Sequence, residues 1–145
     1  YTYTILNSIT RSPLIRRFAH RIAGDFDIEA MNRACQVLVG IHDFTSFASE
    51  IGGEPEKSTI RHVRSASVVR NGEIIIFTIV ANAFLRHQVR NTAGALVQVG
   101  LDKMNVAEFA QLLDLKQPGL AGPTLPACGL CLMQVNYPRA IEEMK

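Results

Sequence analysis

The stretch TIRHVRSASVVRNGEIIIFTIVAN, residues 59–82, decides the fold. Two runs rich in β-branched and aromatic residues, Thr59 to Arg70 and Glu73 to Asn82, flank Asn71-Gly72. That dipeptide between two such runs is the strongest short-range hairpin signal. Within the second run, Ile74-Ile75-Ile76-Phe77 is too apolar for a strand with one wet face. It predicts a central strand covered on both sides.

Elements of other kinds surround this hairpin. Upstream, Tyr1 to Ile9 alternates and is rich in β-formers, so it reads as a strand. Arg11 to Gly24 is a basic connection broken by Pro13. Asp27 is placed to cap a helix whose apolar positions Ile28, Met31, Cys35 and Leu38 recur at helical spacing, with Gly40 as its stop. Asp43 to Phe47 reads as a short helical turn, and residues 48–58 as a mobile loop. Downstream, Leu85 to Val99 predicts a helix stopped by Gly100. Asn105 with Glu108 is a capping-box pair opening another, to about Leu115. Residues 117–129, dense in proline and glycine, form an ordered or functional loop, and Leu130 to Tyr137 is the last strand. The order strand, helix, two hairpin strands, two helices, strand predicts one α+β domain over residues 1–145. Its sheet is mixed and mostly antiparallel, with helices packed on it.

A chain of 145 residues, 48% hydrophobic and 19% charged, buries enough surface for a core without metal or disulfide staples. It has no run of 18 apolar residues, which excludes a membrane-spanning helix. The opening Tyr1-Thr2-Tyr3-Thr4-Ile5 has none of the features of a signal peptide and reads as a strand that begins at a cut. Three cysteines are an odd number for a disulfide framework and fit reduced thiols and a cytoplasmic location. The net charge of +2 hides a segregated distribution. Residues 1–24 carry Arg11, Arg16, Arg17 and Arg21 and no acid, and residues 61–90 carry Arg61, Arg64, Arg70, Arg86 and Arg90 against Glu73 alone. Such segregation suits a polyanion if the fold brings the segments together; otherwise these are solvated side chains.

No familiar catalytic motif is present: no Gly-rich nucleotide loop, no nucleophile elbow, no metalloprotease helix. Cys128 and Cys131 form a CxxC, but Cys35 and the scattered histidines lack ligand spacing, so ordinary thiols fit better than a zinc or redox pair. The segment from Asn82 to Asn91 says more. A strand runs into a helix whose first turns carry Arg86, His87, Arg90 and Asn91, and Arg86 and Arg90, four apart, would share a helical face. Either they meet an anion near free backbone N–H groups, or they pair with surface acids. Tyr1 and Tyr3 face one side of a strand, either stacking on bases or filling the core.

These segments together resemble one family. Gly40-Ile41-His42-Asp43-Phe44-Thr45-Ser46-Phe47 resembles the G-x-x-D-F-[ST]-[SA]-F segment of TruA-type tRNA pseudouridine synthases. Thr59 to Val63 resembles its T-x-R-x-[IV] strand, and ANAFLRHQVRNTAG, residues 81–94, its A-x-[AS]-F-[LV]-x-[HR]-[QM]-[VI]-R-N-x-x-G. Ala121-Gly122-Pro123-Thr124, Pro126-Ala127 and Gly129-Leu130 resemble its A-G-P-T-x-P-A-x-G-L, and Tyr1-Thr2-Tyr3 its Y-x-Y strand. The matches keep the family order across essentially the whole chain.

The resemblance implies the C-terminal domain of an enzyme that isomerises uridine to pseudouridine in tRNA, in the anticodon arm, as a homodimer without cofactor or metal. An Asp attacks, the base detaches, rotates and rejoins through C5, after the nucleotide has been flipped out of its stack. By position, Tyr1 resembles the tyrosine that stacks on the uracil and is a candidate for assisting proton removal from C5. Arg90 resembles the arginine that keeps the nucleophile ionised, and Leu130 the apolar residue packed on the base. Arg86, Arg61, Arg16 and Arg17 are expected phosphate contacts. The chain departs from the family at one decisive point. The nucleophile's R-T-D-A-G-[VI]-H segment is absent, and Asp43 lies in a different motif, where it reads as structural. The fragment alone is therefore expected to be inactive. A stand-alone, non-catalytic tRNA-binding module is the alternative.

Overall fold

A computed structural model describes residues 1–7, 19–48, 58–115, 121 and 124–132. Strand β1 is Thr2–Leu6, β2 His20–Arg21, β3 Gly40–Asp43, β4 Ile60–Asn71, β5 Ile74–Ala81 and β6 Leu130–Cys131. Helix α1 is Ile28–Leu38, α2 Gln88–Gly100 and α3 Val106–Leu115. The sheet runs β2-β1-β5-β4-β3, with β6 also paired to β1. Among the described strands only the β1–β2 pair is parallel. The fold is thus the expected α+β domain with a mixed, mostly antiparallel sheet. Among the described residues no helix is long and apolar enough to cross a membrane.

The hairpin forms one residue later than its sequence suggests. Asn71 pairs with Ile74, so Gly72 and Glu73 make the loop, and Gly72 takes the positive φ of 63° that such a loop demands. Strand β5 is central, between β1 and β4, but is not covered on both sides. Ile75, Phe77 and Ile79 are buried, whereas Ile74, Ile76 and Thr78 are half-buried. The reason is that the apolar stripes of all three helices meet one face of the sheet. There Met31, Cys35, Leu38, Leu96 and Phe109 join Tyr3, Ile5, Val68 and Phe77 in one core. Burial pushes the Cys35 thiol up to about 12, so it is an inert core residue.

The caps of two helices are local and follow the sequence. Asp27 accepts the Ala30 N–H at 3.0 Å. Asn105 and Glu108 exchange reciprocal bonds of 2.7 and 3.1 Å. Gly40 does not end α1 as a left-handed cap. Val39 is already extended, and Gly40, at φ 112°, opens β3, an edge strand paired to β4 from Gly40–Val63 to Asp43–Ile60. Gly100 is likewise not a stop but the last residue of α2. A Cβ there would lie 2.7 Å from Met31 Sδ and from Phe26, so glycine lets α1 and α2 approach closely. The expected loop at 48–58 and the last strand's run to Tyr137 lie largely outside the described residues.

Candidate nucleic-acid interface

Helix α2 begins at Gln88, three residues after the expected Leu85, and this changes the site. Arg86 and His87 form a turn closed by Gln88 N donating to Leu85 O at 3.0 Å, and His87 stands at the helix start in left-handed conformation, φ 60°. Arg86 and Arg90 therefore do not share a helical face; Arg86 lies in the turn and Arg90 in the helix. Gln88 fixes the turn from inside. It is 1% exposed, and its Oε1 accepts the Leu85 N–H at 2.8 Å.

A cavity of about 250 Å³ opens at this helix start. Its apolar walls are Tyr1, Phe84, Leu85, Val89 and Leu130; its polar lining is Arg86, His87, Gln88 and Arg90. Tyr1 enters because its backbone extends the β1–β5 ladder, donating to Ile79 O at 3.1 Å and accepting from Ile79 N at 3.0 Å. Its ring meets Phe84 edge-on, with centroids 5.1 Å apart. Tyr3, two residues along, is fully buried and donates its hydroxyl to Pro126 O at 2.5 Å. Burial holds that hydroxyl well above the ordinary phenol range.

Leu130 reaches the wall through a tight approach. A 3-10 turn at Ala127–Gly129 lies so close to β1 that a Cβ on Gly129 would sit 2.7 Å from Thr4 O and the Tyr3 ring. The turn then delivers Leu130 into β6 opposite Tyr3.

Arg90 is held from one side. Its Nε donates to Leu125 O at 2.7 Å, and among the described residues no carboxylate pairs with it. Among the described residues no Asp or Glu lines the cavity. The next residue, Asn91, is 4% exposed and braces this arrangement. Its amide donates to Phe47 O at 2.8 Å and its Oδ1 accepts from the Thr124 hydroxyl, tying the 3-10 turn at Thr45–Phe47 and the Thr124–Pro126 segment to α2. Losing such a buried amide leaves its partners unsatisfied, at about 1–3 kcal/mol. Asp43 stands apart as a structural residue. Its Oδ1 accepts from Thr45 N at 3.0 Å, Thr45 Oγ1 at 2.5 Å and Thr59 Oγ1 at 2.7 Å, capping the turn and joining β3 to β4.

Of the residues expected at a site, Tyr1, Arg86, Arg90 and Leu130 line one cavity. Arg61 does not; its Nη1 folds back onto Ser58 O and Ile60 O at 2.7 and 2.8 Å. Arg16 and Arg17 lie outside the described residues. Phe84, Gln88 and the Leu125 carbonyl complete the site without having been singled out in the sequence. Cys128 and Cys131 are exposed cysteines on the 3-10 turn and β6, and among the described residues no group of three His, Cys, Asp or Glu is arranged to hold a metal ion.

Residues 34–138 match the family model described as tRNA pseudouridine synthase. Proteins named tRNA pseudouridine synthase A are similar across the chain. That of Pelobacter propionicus is 40% identical over 94% of this chain and 55% of its own length. That of a Geobacter species is 41% identical over 95% and 56%, and that of Moorella thermoacetica 39% over 94% and 55%. The chain spans about half the length of the curated relatives it matches.

Proposed function

The chain belongs to the tRNA pseudouridine synthase family, and from that premise we propose that it forms one half of an enzyme that isomerises uridine to pseudouridine in tRNA. The observation that carries this reading is the cavity. An apolar slot of about 250 Å³ lies beside a guanidinium fixed by a backbone carbonyl and lacking a carboxylate among the described residues. The volume is below the roughly 300–1,000 Å³ of drug-sized pockets and suits a single nucleobase.

The chemistry distributes itself over these walls. The reaction breaks the N1–C1′ bond, rotates the uracil, makes the C5–C1′ bond, and exchanges the C5 proton for one on N1. A base that turns while detached needs smooth, apolar faces. Tyr1 supplies one by stacking and Leu130 the opposite one. The Tyr1 hydroxyl is also the candidate for assisting removal of the C5 proton. Arg90 pairs with the aspartate nucleophile, which comes from outside this sequence, and keeps it ionised. Its Nε anchor on Leu125 O leaves the Nη groups for that carboxylate, in the bidentate geometry that arginine favours. Arg86, Arg61, Arg16 and Arg17 contact phosphates, with the target in the anticodon arm. The working protein is a cytoplasmic homodimer that needs no cofactor.

Tritium release from C5-labelled uridine in a tRNA transcript tests the reading. The natural full-length protein should release tritium, and residues 1–145 alone should not. Release by residues 1–145 alone would show that the nucleophile lies within this sequence. Release by neither, with tRNA still bound, would leave a binding module.

A further inference from the structure

The three helices begin in different ways. Asp27 caps Ala30 N of α1 and Asn105 caps Glu108 N of α3, and in each helix the first two N–H groups have no partner among the described residues. Helix α2, 13 residues long, has no side-chain cap bond at His87 and no acid in its first turn. Gln88 N bonds Leu85 O and Asn91 N bonds His87 O, but the N–H groups of Val89 and Arg90 have no partner among the described residues. These are the donors that a helix end normally satisfies with a cap, water or ligand.

A second, independent feature points the same way. Gln88 is 1% exposed, lines the cavity, and its Nε2 makes no hydrogen bond. Its amide is locked, because turning it over would set Nε2 against the Leu85 N–H that Oε1 now accepts. The fold thus keeps a buried donor unsatisfied, at a cost that calls for an explanation. The wall that holds it also carries Arg86 and Arg90. Peptide dipole, backbone N–H groups, locked amide and guanidiniums all seek one complement, an oxyanion.

We propose that the open N-terminus of α2 binds a phosphodiester group of the RNA strand whose base enters the cavity, so that one helix start seats both base and backbone. This rests on the functional reading above and adds to it a defined seat for the phosphate: Val89 N, Arg90 N and Gln88 Nε2, with the Arg86 charge beside them. The other source of an oxyanion is a carboxylate of the protein itself. Partial burial together with the Arg90 and Arg86 charges depresses the His87 pKa below its ordinary value, as expected where cations converge.

The test places a carboxylate at that seat. In the natural full-length protein, His87→Asp sets a negative charge at the helix start, in a left-handed position that Asp tolerates. It should weaken tRNA binding about tenfold and reduce the slope of log K against log[salt] by about one, without lowering Tm. His87→Asn, which adds no charge, should stay within about threefold. A neutral methylphosphonate at one of the two phosphates flanking the target uridine should weaken wild-type binding by a like factor and add nothing in His87→Asp. Overturning results are wild-type affinity in His87→Asp, or a lowered Tm with the methylphosphonate penalty intact, which would assign the seat to a protein carboxylate. If the wild-type protein binds no tRNA, the functional reading fails, and inorganic phosphate then decides the seat. Shifts of the Val89 and Arg90 amide resonances that vanish in His87→Asp would support it, and their absence would overturn it.

Discussion

The starts of α1 and α3 on one side, and of α2 on the other, solve the same physical problem in opposite ways. Every helix begins with backbone N–H groups that no helical carbonyl can meet. α1 and α3 each meet one of them with a side chain, Ala30 N with Asp27 and Glu108 N with Asn105. α2 begins with a left-handed His87 that makes no side-chain cap bond, and it opens onto the cavity. The capped ends serve stability alone. The open end forgoes some stability and gains a positive, donor-rich surface where Tyr1, Arg90 and Leu130 converge. A left-handed histidine and a buried, unsatisfied amide at one cavity are what a working site shows.

Mutation can break this contrast in two ways. The larger effect belongs to the open end. Arg90→Ala in the natural full-length protein should lower the rate of pseudouridine formation roughly 10²–10³-fold, the usual cost of losing one preorganised charge partner. Single-turnover kinetics at saturating tRNA would check it. An unchanged rate with weaker binding would make Arg90 a contact rather than the partner of the nucleophile. The smaller effect compares the ends directly. Asp27→Ala should cost about 1 kcal/mol by urea unfolding, because it removes a cap. His87→Gly should change stability by less than about 1 kcal/mol, in the stabilising direction, because glycine takes φ 60° without strain. Equal losses at both positions would erase the distinction.

The same contrast marks what the sequence could reveal. Asp27, the Asn105–Glu108 box and the 59–82 hairpin are signalled by residues that act within a few positions of themselves; the two caps formed as read, and the hairpin formed with its loop one residue later. The start of α2 depends on a left-handed conformation at a histidine and on an amide folded back onto Leu85, which no local pattern announces. Strands β2 and β3 are held by pairing with β1 and β4, not by their own residues, and did not stand out. The apolar run at Ile74 to Phe77 signalled a central strand correctly but not how many faces the helices cover. Among the residues that line the cavity, Tyr1, Arg86 and Arg90 were singled out by residue type and spacing and Leu130 by the motif resemblance. Gln88 and the Leu125 carbonyl were not, because their roles lie in buried geometry. Arg61 shares the charge of the others, but its guanidinium is turned back onto its own strand.

Hydrogen–deuterium exchange of the natural full-length protein, with and without tRNA, tests most directly whether this cavity receives the substrate. Binding at the cavity should slow exchange across residues 84–90 and 124–131 and leave the capped starts of α1 and α3 unchanged. Protection confined to other elements, with residues 84–90 exchanging as in the free protein, would contradict it.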